Sequence, residues 1–421
     1  MSIKLIEAAE YKNYFNHRSA AKVTPEISET VRKIIDDVKN RGDEAVKYYE
    51  KKFDNTELSA LEVNQNEIET ALSSAGSEYI SMLERAAKNI ADFHKRQLHE
   101  GFMYTSENGI ILGQRVLPIE NAGLYIPGGK ASYPSSVLMN AIPAKIAGCK
   151  NIIMVSPPPI RPEVIAAAKI SGVTRIFKAG GAQAVAALAY GTESIPKADK
   201  ITGPGNVYVA EAKRQVFGIV DIDMIAGPSE ILIIADKNNN AAHLASDMLA
   251  QSEHDPDASA ILITNSRELA ENVISEIEKQ ILILERHEIA RKSIDNNGLI
   301  IIAENREQAV NTANDIAPEH LELCVENPFG WLTEIKNAGS VFLGSYSPEA
   351  LGDYYAGINH TLPTMGTAIF SSPLSVDDFI KKSQYVYYTE AALKNVSDDI
   401  ETFAKSEGLT GHANSITIRT K

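Results

Sequence analysis

Residues 152–177 read IIMVSPPPIRPEVIAAAKISGVTRIF. Two short apolar runs, Ile152–Val155 and Thr174–Phe177, flank an alanine-rich stretch of helical character, and proline and glycine separate the three segments. Strand, helix and strand at this spacing are typical of a βαβ unit, in which the strands lie parallel in one sheet. The stretch therefore predicts an α/β fold with a mostly parallel sheet.

The same alternation extends along the chain and is long enough for two sheets. Further apolar runs lie at Ile231–Ala235, Ala260–Thr264, Leu299–Ile302 and Ser340–Leu343. We expect two Rossmann-like domains, each with a parallel sheet. The first comprises residues 21–124 and 229–374, and the second, residues 125–228, is inserted into it.

Both ends of the chain are expected to be small helical extensions. Residues 1–20 form the first of them, and residues 375–421, where the pattern turns helical and charged, form the second. Helices are also expected in the first hundred residues, where apolar side chains such as Val31, Ile34 and Val38 recur at helical spacing.

Charge and cysteine content exclude several classes of protein. The 421 residues include 41 lysine and arginine against 55 aspartate and glutamate, a net charge of −14, which argues against a nucleic-acid partner. Two cysteines, Cys149 and Cys324, are too few for a disulfide framework. The sequence has no apolar run near the length of about 18 residues that spans a membrane, and no signal-peptide pattern. We therefore expect a cytoplasmic protein.

Three glycine clusters lie in the expected α/β region, at Pro127–Gly129, Gly180–Gln183 and Gly203–Asn206. Backbone N–H groups at such positions could face a nucleotide phosphate. None of the clusters matches the G-x-G-x-x-G fingerprint, and tight turns with close helix–strand packing are the alternative.

Gln251 and His254 end a predicted helix that starts at Ala241. Residues three apart on a helix point to one side, so the pair could bind a metal at a cleft, although the spacing alone favours a solvated helix face with an ordinary surface histidine. Asp353, His360 and His412 are further candidates. Two imidazoles, a carboxylate and an amide oxygen, with no thiolate, would suit zinc or a similar divalent cation.

Glu319 and His320 place a carboxylate beside an imidazole, the two commonest proton-transfer groups. Both reach one cavity only if the chain turns there, and the preceding Pro318 makes a turn plausible. A helix start with glutamate in its first turn is the alternative. Cys324 lies in an apolar, strand-like run and is expected to be buried and inert.

Taken together, several of these segments resemble one family, the histidinol dehydrogenases. The resemblance is collinear from about Asn121 to His412 and depends on six stretches: Gly123–Gly129, Thr202–Asn206, Ala226–Glu230, Gln251–Asp255, Ala317–Glu322 and Gly352–Tyr354. It implies an NAD-dependent zinc enzyme of histidine biosynthesis that oxidises L-histidinol to L-histidine through the aldehyde, with one zinc ion per subunit and two NAD consumed per histidinol.

The resemblance also implies roles for single residues. His320 would be the general base of both hydride steps, and Glu319 would activate water for aldehyde hydration. The zinc ligands would be Gln251, His254, Asp353 and His412. These ligands and His320 would also contact the substrate, as would Ser229 and Glu407. The NAD contacts would be Tyr125, Gln183 and Asn206. His360 has no ligand role in this assignment, and neither cysteine is a nucleophile.

The resemblance further implies a homodimer in which the C-terminal segment crosses to the partner's site. Two other functions remain open from the residues alone. One is a zinc-dependent hydrolase with Glu319 as the base for a metal-bound water. The other is a nucleotide- or metal-binding regulatory protein without catalysis.

Overall fold

The computed structural model describes residues 3–15, 23–106, 108–128 and 133–420. In chain order the strands are β1 Lys4–Glu7, β2 Phe102–Thr105, β3 Ile111–Pro118, β4 Asn121–Tyr125, β5 Asn151–Ser156, β6 Arg175–Lys178, β7 Lys200–Thr202, β8 Asp221–Ile222, β9 Glu230–Ala235, β10 Ser259–Thr264, β11 Leu299–Ile302, β12 His320–Cys324, β13 Ser340–Leu343 and β14 Ile380–Tyr387.

The α-helices alternate with most of these strands. They are α1 Lys12–Phe15, α2 Pro25–Arg41, α3 Asp43–Phe53, α4 Gln65–Ala75, α5 Ser77–His94, α6 Pro134–Ala147, α7 Pro162–Ser171, α8 Gly181–Tyr190, α9 Val207–Val216, α10 Ala241–Ser252, α11 Arg267–Gln280, α12 His287–Asn297, α13 Arg306–Ile316, α14 Pro328–Leu332, α15 Glu349–Tyr354, α16 Glu390–Ser406 and α17 Thr410–Thr420.

The chain divides into two compact units. The first contains the residues up to Gln97 together with Ile119–Phe379, and the second contains Leu98–Pro118 and the residues from Ile380 onward. No helix in the described ranges combines the length and apolarity needed to cross a membrane.

The first unit contains two parallel sheets, as the alternation predicts. The six-stranded sheet has the order β1-β11-β10-β9-β12-β13, and the five-stranded sheet has the order β6-β5-β4-β7-β8. In the six-stranded sheet, β9, β10 and β11 are successive neighbours, and β12 pairs on the other side of β9. In the five-stranded sheet, β4, β5 and β6 are successive neighbours, and β7 pairs on the other side of β4. This reversal is the doubly wound arrangement of nucleotide-binding folds.

Both sheets are covered on two faces. Along β5, Ile153 and Val155 contribute to one apolar cluster, whereas Ile152 and Met154 contribute to another. Successive side chains of a strand point to opposite faces, so a strand that is apolar throughout is buried on both sides. The six-stranded sheet is likewise packed between two clusters of its own.

The N-terminal elements differ from the expected boundaries. Lys4–Glu7, expected in a helical extension, is a strand that pairs with β11 at the edge of the six-stranded sheet. Helices α2 to α5, expected with that sheet, contribute to the clusters of the five-stranded sheet, as does β4. Periodicity indicates which face of a helix is apolar, but not which sheet receives that face.

The second unit is an antiparallel sheet of order β14-β3-β2 with helices α16 and α17. β3 pairs with β14 from Ile111 opposite Tyr387 to Pro118 opposite Ile380. The C-terminal residues were expected to be a helical extension; they contain two helices but also this eight-residue strand.

Candidate active site

The Glu319–His320 pair lies at the amino end of the six-stranded sheet. Helix α13 ends at Ala317, whose φ of 49° is left-handed, and the chain then enters β12 at His320. The register of β12 on β9 pairs His320 with Ile231, which brings Glu319 beside Glu230. The turn expected at Pro318 is therefore confirmed, and both side chains reach one buried region.

Backbone groups of Glu230 hold the two side chains. Its N–H donates to Glu319 Oε2 at 2.8 Å, and its carbonyl oxygen lies 3.0 Å from His320 Nδ1. The Nδ1 and Oε2 atoms of the pair are 3.7 Å apart. Glu319 is 7% exposed and His320 4%, so water reaches neither group freely.

Burial controls the protonation of both residues. It raises the pKa of Glu319 well above its usual range, and the charges of Glu230 and Asp353 act in the same direction. Burial lowers the pKa of His320 and outweighs the opposing effects of the Asp353 charge and the Glu230 carbonyl, and His254 and His360 lower the pKa slightly further. The imidazole is therefore neutral near pH 7 and can accept a proton.

Asp353 and His360 lie on the side of the His320 ring away from Glu230. Asp353, in α15, places Oδ1 at 3.8 Å from His320 Nε2 and 3.9 Å from His360 Nδ1. The Nε2 atom of His360 lies 3.3 Å from the hydroxyl of Ser136 at the start of α6. The amino end of the six-stranded sheet thus meets a helix of the five-stranded sheet at this point.

Gln251 is fully buried at the end of α10. In the orientation that satisfies its neighbours, the amide nitrogen donates to the carboxylate of Glu349 and the oxygen accepts from the Glu230 N–H at 2.9 Å. His254 follows at the exposed end of the helix, yet its charge acts on both His320 and His360. Gln251 and His254 therefore border the same region as the Glu–His pair.

Sequence reasoning missed Glu349. This residue is 3% exposed, contacts Gln251, and places Oε1 at 3.8 Å from His320 Nδ1. Its spacing of four residues from Asp353 puts both carboxylates on one face of α15, which is the signal that could have found it. Ligand atoms of His320, Glu349 and Asp353 lie within 4.8 Å of one another.

These side chains fit a divalent cation. Asp353 and Glu349 place carboxylate oxygens around the His320 imidazole in the described part of the chain. Among those residues, the ion-pair contacts of Glu319, Glu349 and Asp353 are with histidine and not with lysine or arginine. Buried carboxylates need a compensating charge, and nitrogen and oxygen donors without thiolate suit zinc at an open site.

The remaining predicted substrate and zinc residues lie in two places. Ser229 directly precedes β9, is partly buried, and its carbonyl accepts from the N–H of Ser259 at 3.0 Å. Glu407 and His412 belong to the second unit, at the end of α16 and in α17, and both are exposed.

The predicted NAD residues lie at the carboxyl end of the five-stranded sheet. Tyr125 ends β4, and Asn206 follows the adjacent β7 and caps α9. The strand order reverses between β4 and β7, and ligands of open parallel sheets bind at such a reversal. Gln183, in the first turn of α8, is near them because Tyr125 Oη accepts from the Gly181 N–H at 3.1 Å.

In two of the three glycine clusters, a backbone N–H group that could have faced a phosphate donates to a carboxylate of the protein instead. The N–H of Gly180 donates to the Glu50 carboxylate at 2.9 Å, and that of Gly203 donates to Asp223 at 2.7 Å. A Cβ on Gly203, whose φ is +112°, would lie 2.0 Å from the Tyr125 carbonyl oxygen. Gly129, in the remaining cluster, lies outside the described residues.

Two doubly wound sheets and a buried carboxylate–imidazole pair beside a set of metal-type donors define an α/β enzyme with proton-transfer chemistry. The family model described as histidinol dehydrogenase matches residues 16–420. The chain belongs to the histidinol dehydrogenase family, which confirms the resemblance found in the sequence.

Individual relatives agree with this assignment. The chain is 53% identical over 404 residues to a histidinol dehydrogenase of Clostridium acetobutylicum, covering 95% of this chain and 94% of the relative. It is 54% identical over 402 residues to one of Geobacter sulfurreducens, covering 94% of each. The solved structure of histidinol dehydrogenase from Elizabethkingia anophelis is 39% identical and superposes with a TM-score of 0.93, covering 100% of this chain and 98% of the other.

Proposed function

We propose that this protein oxidises L-histidinol to L-histidine through L-histidinaldehyde, with NAD as the hydride acceptor in both steps. Family membership over nearly the whole chain supports the substrate. The observation that carries the chemistry is the buried Nε2 atom of His320, which has no partner within the described ranges. A neutral imidazole whose Nε2 lone pair has no protein donor can act as a general base.

His320 would act as the base twice. In the first step its Nε2 takes the hydroxyl proton of histidinol while hydride leaves the carbinol carbon. In the second step it takes a proton from the hydrated aldehyde in the same way. The Glu230 carbonyl holds Nδ1 at 3.0 Å and so keeps the ring in one tautomer and one orientation throughout.

Glu319 would activate the water that adds to the aldehyde. Burial raises the pKa of its carboxyl group, so the ionised form is a stronger base than an exposed carboxylate. The hydrogen bond from the Glu230 N–H fixes Oε2. The low exposure of the pair limits the supply of water to the site, which suits a reaction whose aldehyde intermediate must stay bound.

Gln251, His254, Asp353 and His412 would hold one zinc ion. When bound, the ion would supply a positive centre that orients the amino and imidazole nitrogens of the substrate. Ser229 and Glu407 would contact the substrate directly, and Tyr125, Gln183 and Asn206 would contact NAD.

We also propose that the active form is a homodimer in which Glu407 and His412 come from the partner of the subunit that supplies the Glu–His pair. Exposed apolar side chains in the second unit support this, because Met103, Phe403 and Ile418 are 65%, 69% and 70% exposed. A partner subunit could cover these side chains.

The test is NADH formation at 340 nm when purified protein receives histidinol and NAD. We expect about two NADH per histidinol consumed, and loss of activity after chelation that zinc restores. A zinc-dependent hydrolase would form no NADH, and a regulatory binding protein would show no turnover.

A further inference from the structure

Glu50 is a fully buried carboxylate beside the predicted NAD residues. It lies in α3, which packs with α8, and its Oε1 atom accepts two hydrogen bonds of 2.9 Å, from the Gly180 N–H and from the Gln183 side-chain nitrogen. Neither the sequence pattern nor the family resemblance assigns this residue a role.

The contact with Glu50 determines how Gln183 can meet a ligand. A carboxylate oxygen only accepts hydrogen bonds, so the amide nitrogen of Gln183 must face Glu50. The amide oxygen, Oε1, then points elsewhere; it is buried and has no partner among the residues that the structure describes. Gln183 is left with one acceptor for a ligand that carries an N–H or O–H group.

Tyr125 presents the complementary group. Its hydroxyl oxygen accepts from the Gly181 N–H at 3.1 Å, and burial raises the pKa of the phenol far above its usual value. The hydroxyl therefore keeps its hydrogen and can donate it. Glu50 therefore holds the Gln183 amide directly, and it holds the Tyr125 hydroxyl indirectly, through the Gly180–Gly181 segment.

We propose that Glu50 is the positioning residue of the dinucleotide site, and that it orients Gln183 so that the amide oxygen receives an amide or ribose hydroxyl donor of NAD. This inference rests on the proposed role of Gln183 as an NAD contact. Glu50 itself touches no substrate in this arrangement and acts through Gln183.

Burial of Glu50 has an electrostatic consequence. It raises the pKa of the carboxyl group to about 7, and the nearby Asp54, one turn further along the chain, acts in the same direction. The hydrogen bonds from the Gly180 N–H and the Gln183 side chain oppose this rise, because they favour the ionised form.

The experiment replaces Glu50 by glutamine in the zinc-loaded full-length enzyme. The glutamine fits the same space, but its amide nitrogen can donate to Gln183 and reverse the Gln183 amide. We expect the Kd and KM for NAD to rise about tenfold, the effect of one misoriented hydrogen bond. The KM for histidinol and the zinc content should change less than about twofold. The matched control is Glu44→Gln, at a position in the same helix whose side chain is 77% exposed, and it should leave all four quantities unchanged.

A double-mutant cycle tests whether Glu50 acts through Gln183. We expect Gln183→Ala to raise the Kd for NAD, and Glu50→Gln to add little in the Gln183→Ala background, since residues that act as a unit are not additive. The proposal would be overturned if the fold-changes in Kd of the two single variants multiplied in the double variant. It would also be overturned if the Kd of Glu50→Gln were unchanged, or if the KM for NAD and the KM for histidinol rose equally. If Glu50→Gln does not fold, Glu50→Asp, which keeps the anion but is one methylene shorter, should weaken NAD binding, and unchanged binding would overturn it.

Calorimetry of NAD binding separates this inference from the proposed function. Wild-type enzyme that binds NAD but forms no NADH from histidinol would refute the proposed reaction, while the cycle in Kd would still decide the role of Glu50. Wild-type enzyme that turns over normally, with a Kd unaffected by Gln183→Ala, would refute the inference and leave the reaction standing.

Discussion

The Nδ1 atom of His320 lies 3.0 Å from the backbone carbonyl oxygen of Glu230. Because a carbonyl oxygen only accepts, the neutral ring carries its hydrogen on Nδ1 and leaves Nε2 unprotonated. Nε2 points to the side where Asp353 Oδ1 lies at 3.8 Å. One backbone contact therefore decides which nitrogen of His320 is available as a base.

His320→Asn should impair both half-reactions. Asparagine can still donate to the Glu230 carbonyl, but it has no basic nitrogen in place of Nε2. We expect the rates of histidinol oxidation and of histidinaldehyde oxidation each to fall about 10² to 10⁴-fold, the usual contribution of a general base. Both are measured as NADH formation, with His287→Asn, at an exposed position in α12, as the control. An intact first step would show that His320 is not the shared base.

Glu319→Gln should separate the two half-reactions. Glutamine can still accept from the Glu230 N–H, so the geometry around His320 is retained while the basic carboxylate is lost. We expect the rate of histidinaldehyde oxidation to fall about 10² to 10³-fold and the rate of histidinol oxidation to fall much less. Single-turnover measurements with histidinol and with the aldehyde give the two rates. Equal losses in both would contradict the role of Glu319 in water activation.

Much of the fold follows from local pattern. The apolar runs Ile231–Ala235 and Ala260–Thr264 correspond to β9 and β10, with only small differences at their ends, because strands buried on both faces are apolar throughout. The Lys4–Glu7 strand was missed because only Leu5 and Ile6 in it are apolar, and an edge strand that is half covered has no strong pattern. Its position depends on pairing with β11, which is almost 300 residues away in sequence.

The site was predictable only in part, for a related reason. Glu319 and His320 are neighbours in sequence, so a local turn suffices to bring them together. Glu349 and Glu50 act through contacts with Gln251 and Gln183, residues far from them along the chain. Such contacts arise from packing between elements, and a single sequence carries no local mark of them.

Asp353→Asn should weaken zinc binding. Asp353 is the carboxylate of the proposed ligand set, and asparagine keeps the shape but removes the charge that the cation requires. We expect the zinc content after dialysis against a weak chelator to fall about tenfold or more, measured by atomic absorption. Asp257→Asn, at an exposed position after α10, is the control. Full zinc retention by Asp353→Asn would exclude Asp353 as a ligand.

Mixing two inactive variants should restore activity if the site is shared between subunits. His412→Asn lacks a ligand from the second unit, whereas Glu319→Gln lacks a group of the first unit. A mixed dimer formed after unfolding and reassembly would contain one site with both groups intact, so up to about half of wild-type activity per mixed dimer is expected. Absence of recovery, with mixed dimers demonstrated by differently tagged subunits, would rule out sharing.

The acid pair of half-buried Asp247 and buried Glu322 should make the protein less stable as pH rises. Burial raises the pKa of Glu322 to about 8, and the nearby charge of Asp247 adds to the effect; burial also raises the pKa of Asp247. The folded chain therefore keeps protons that the unfolded chain releases above pH of about 4.3. The contribution of these retained protons to the free energy of unfolding is fully present below that pH and is lost as the pH rises towards the pKa values of the folded protein. The free energy of unfolding falls by about 1.4 kcal/mol per pH unit for each proton retained.

Glu322→Gln should reduce this slope by about one proton. Glutamine can accept from the Glu349 N–H as Glu322 does at 2.8 Å, and it can donate to Asp247, so it resembles the protonated acid at every pH. Urea unfolding between pH 5.5 and about 7.5 should show a decline in the free energy of unfolding that is shallower by about 1.4 kcal/mol per pH unit than in wild type. Glu326→Gln, at an exposed position just beyond β12, should keep the wild-type slope. A slope that Glu322→Gln leaves unchanged would mean that Glu322 is already ionised in the folded protein, because an ionised side chain binds the same number of protons in both states.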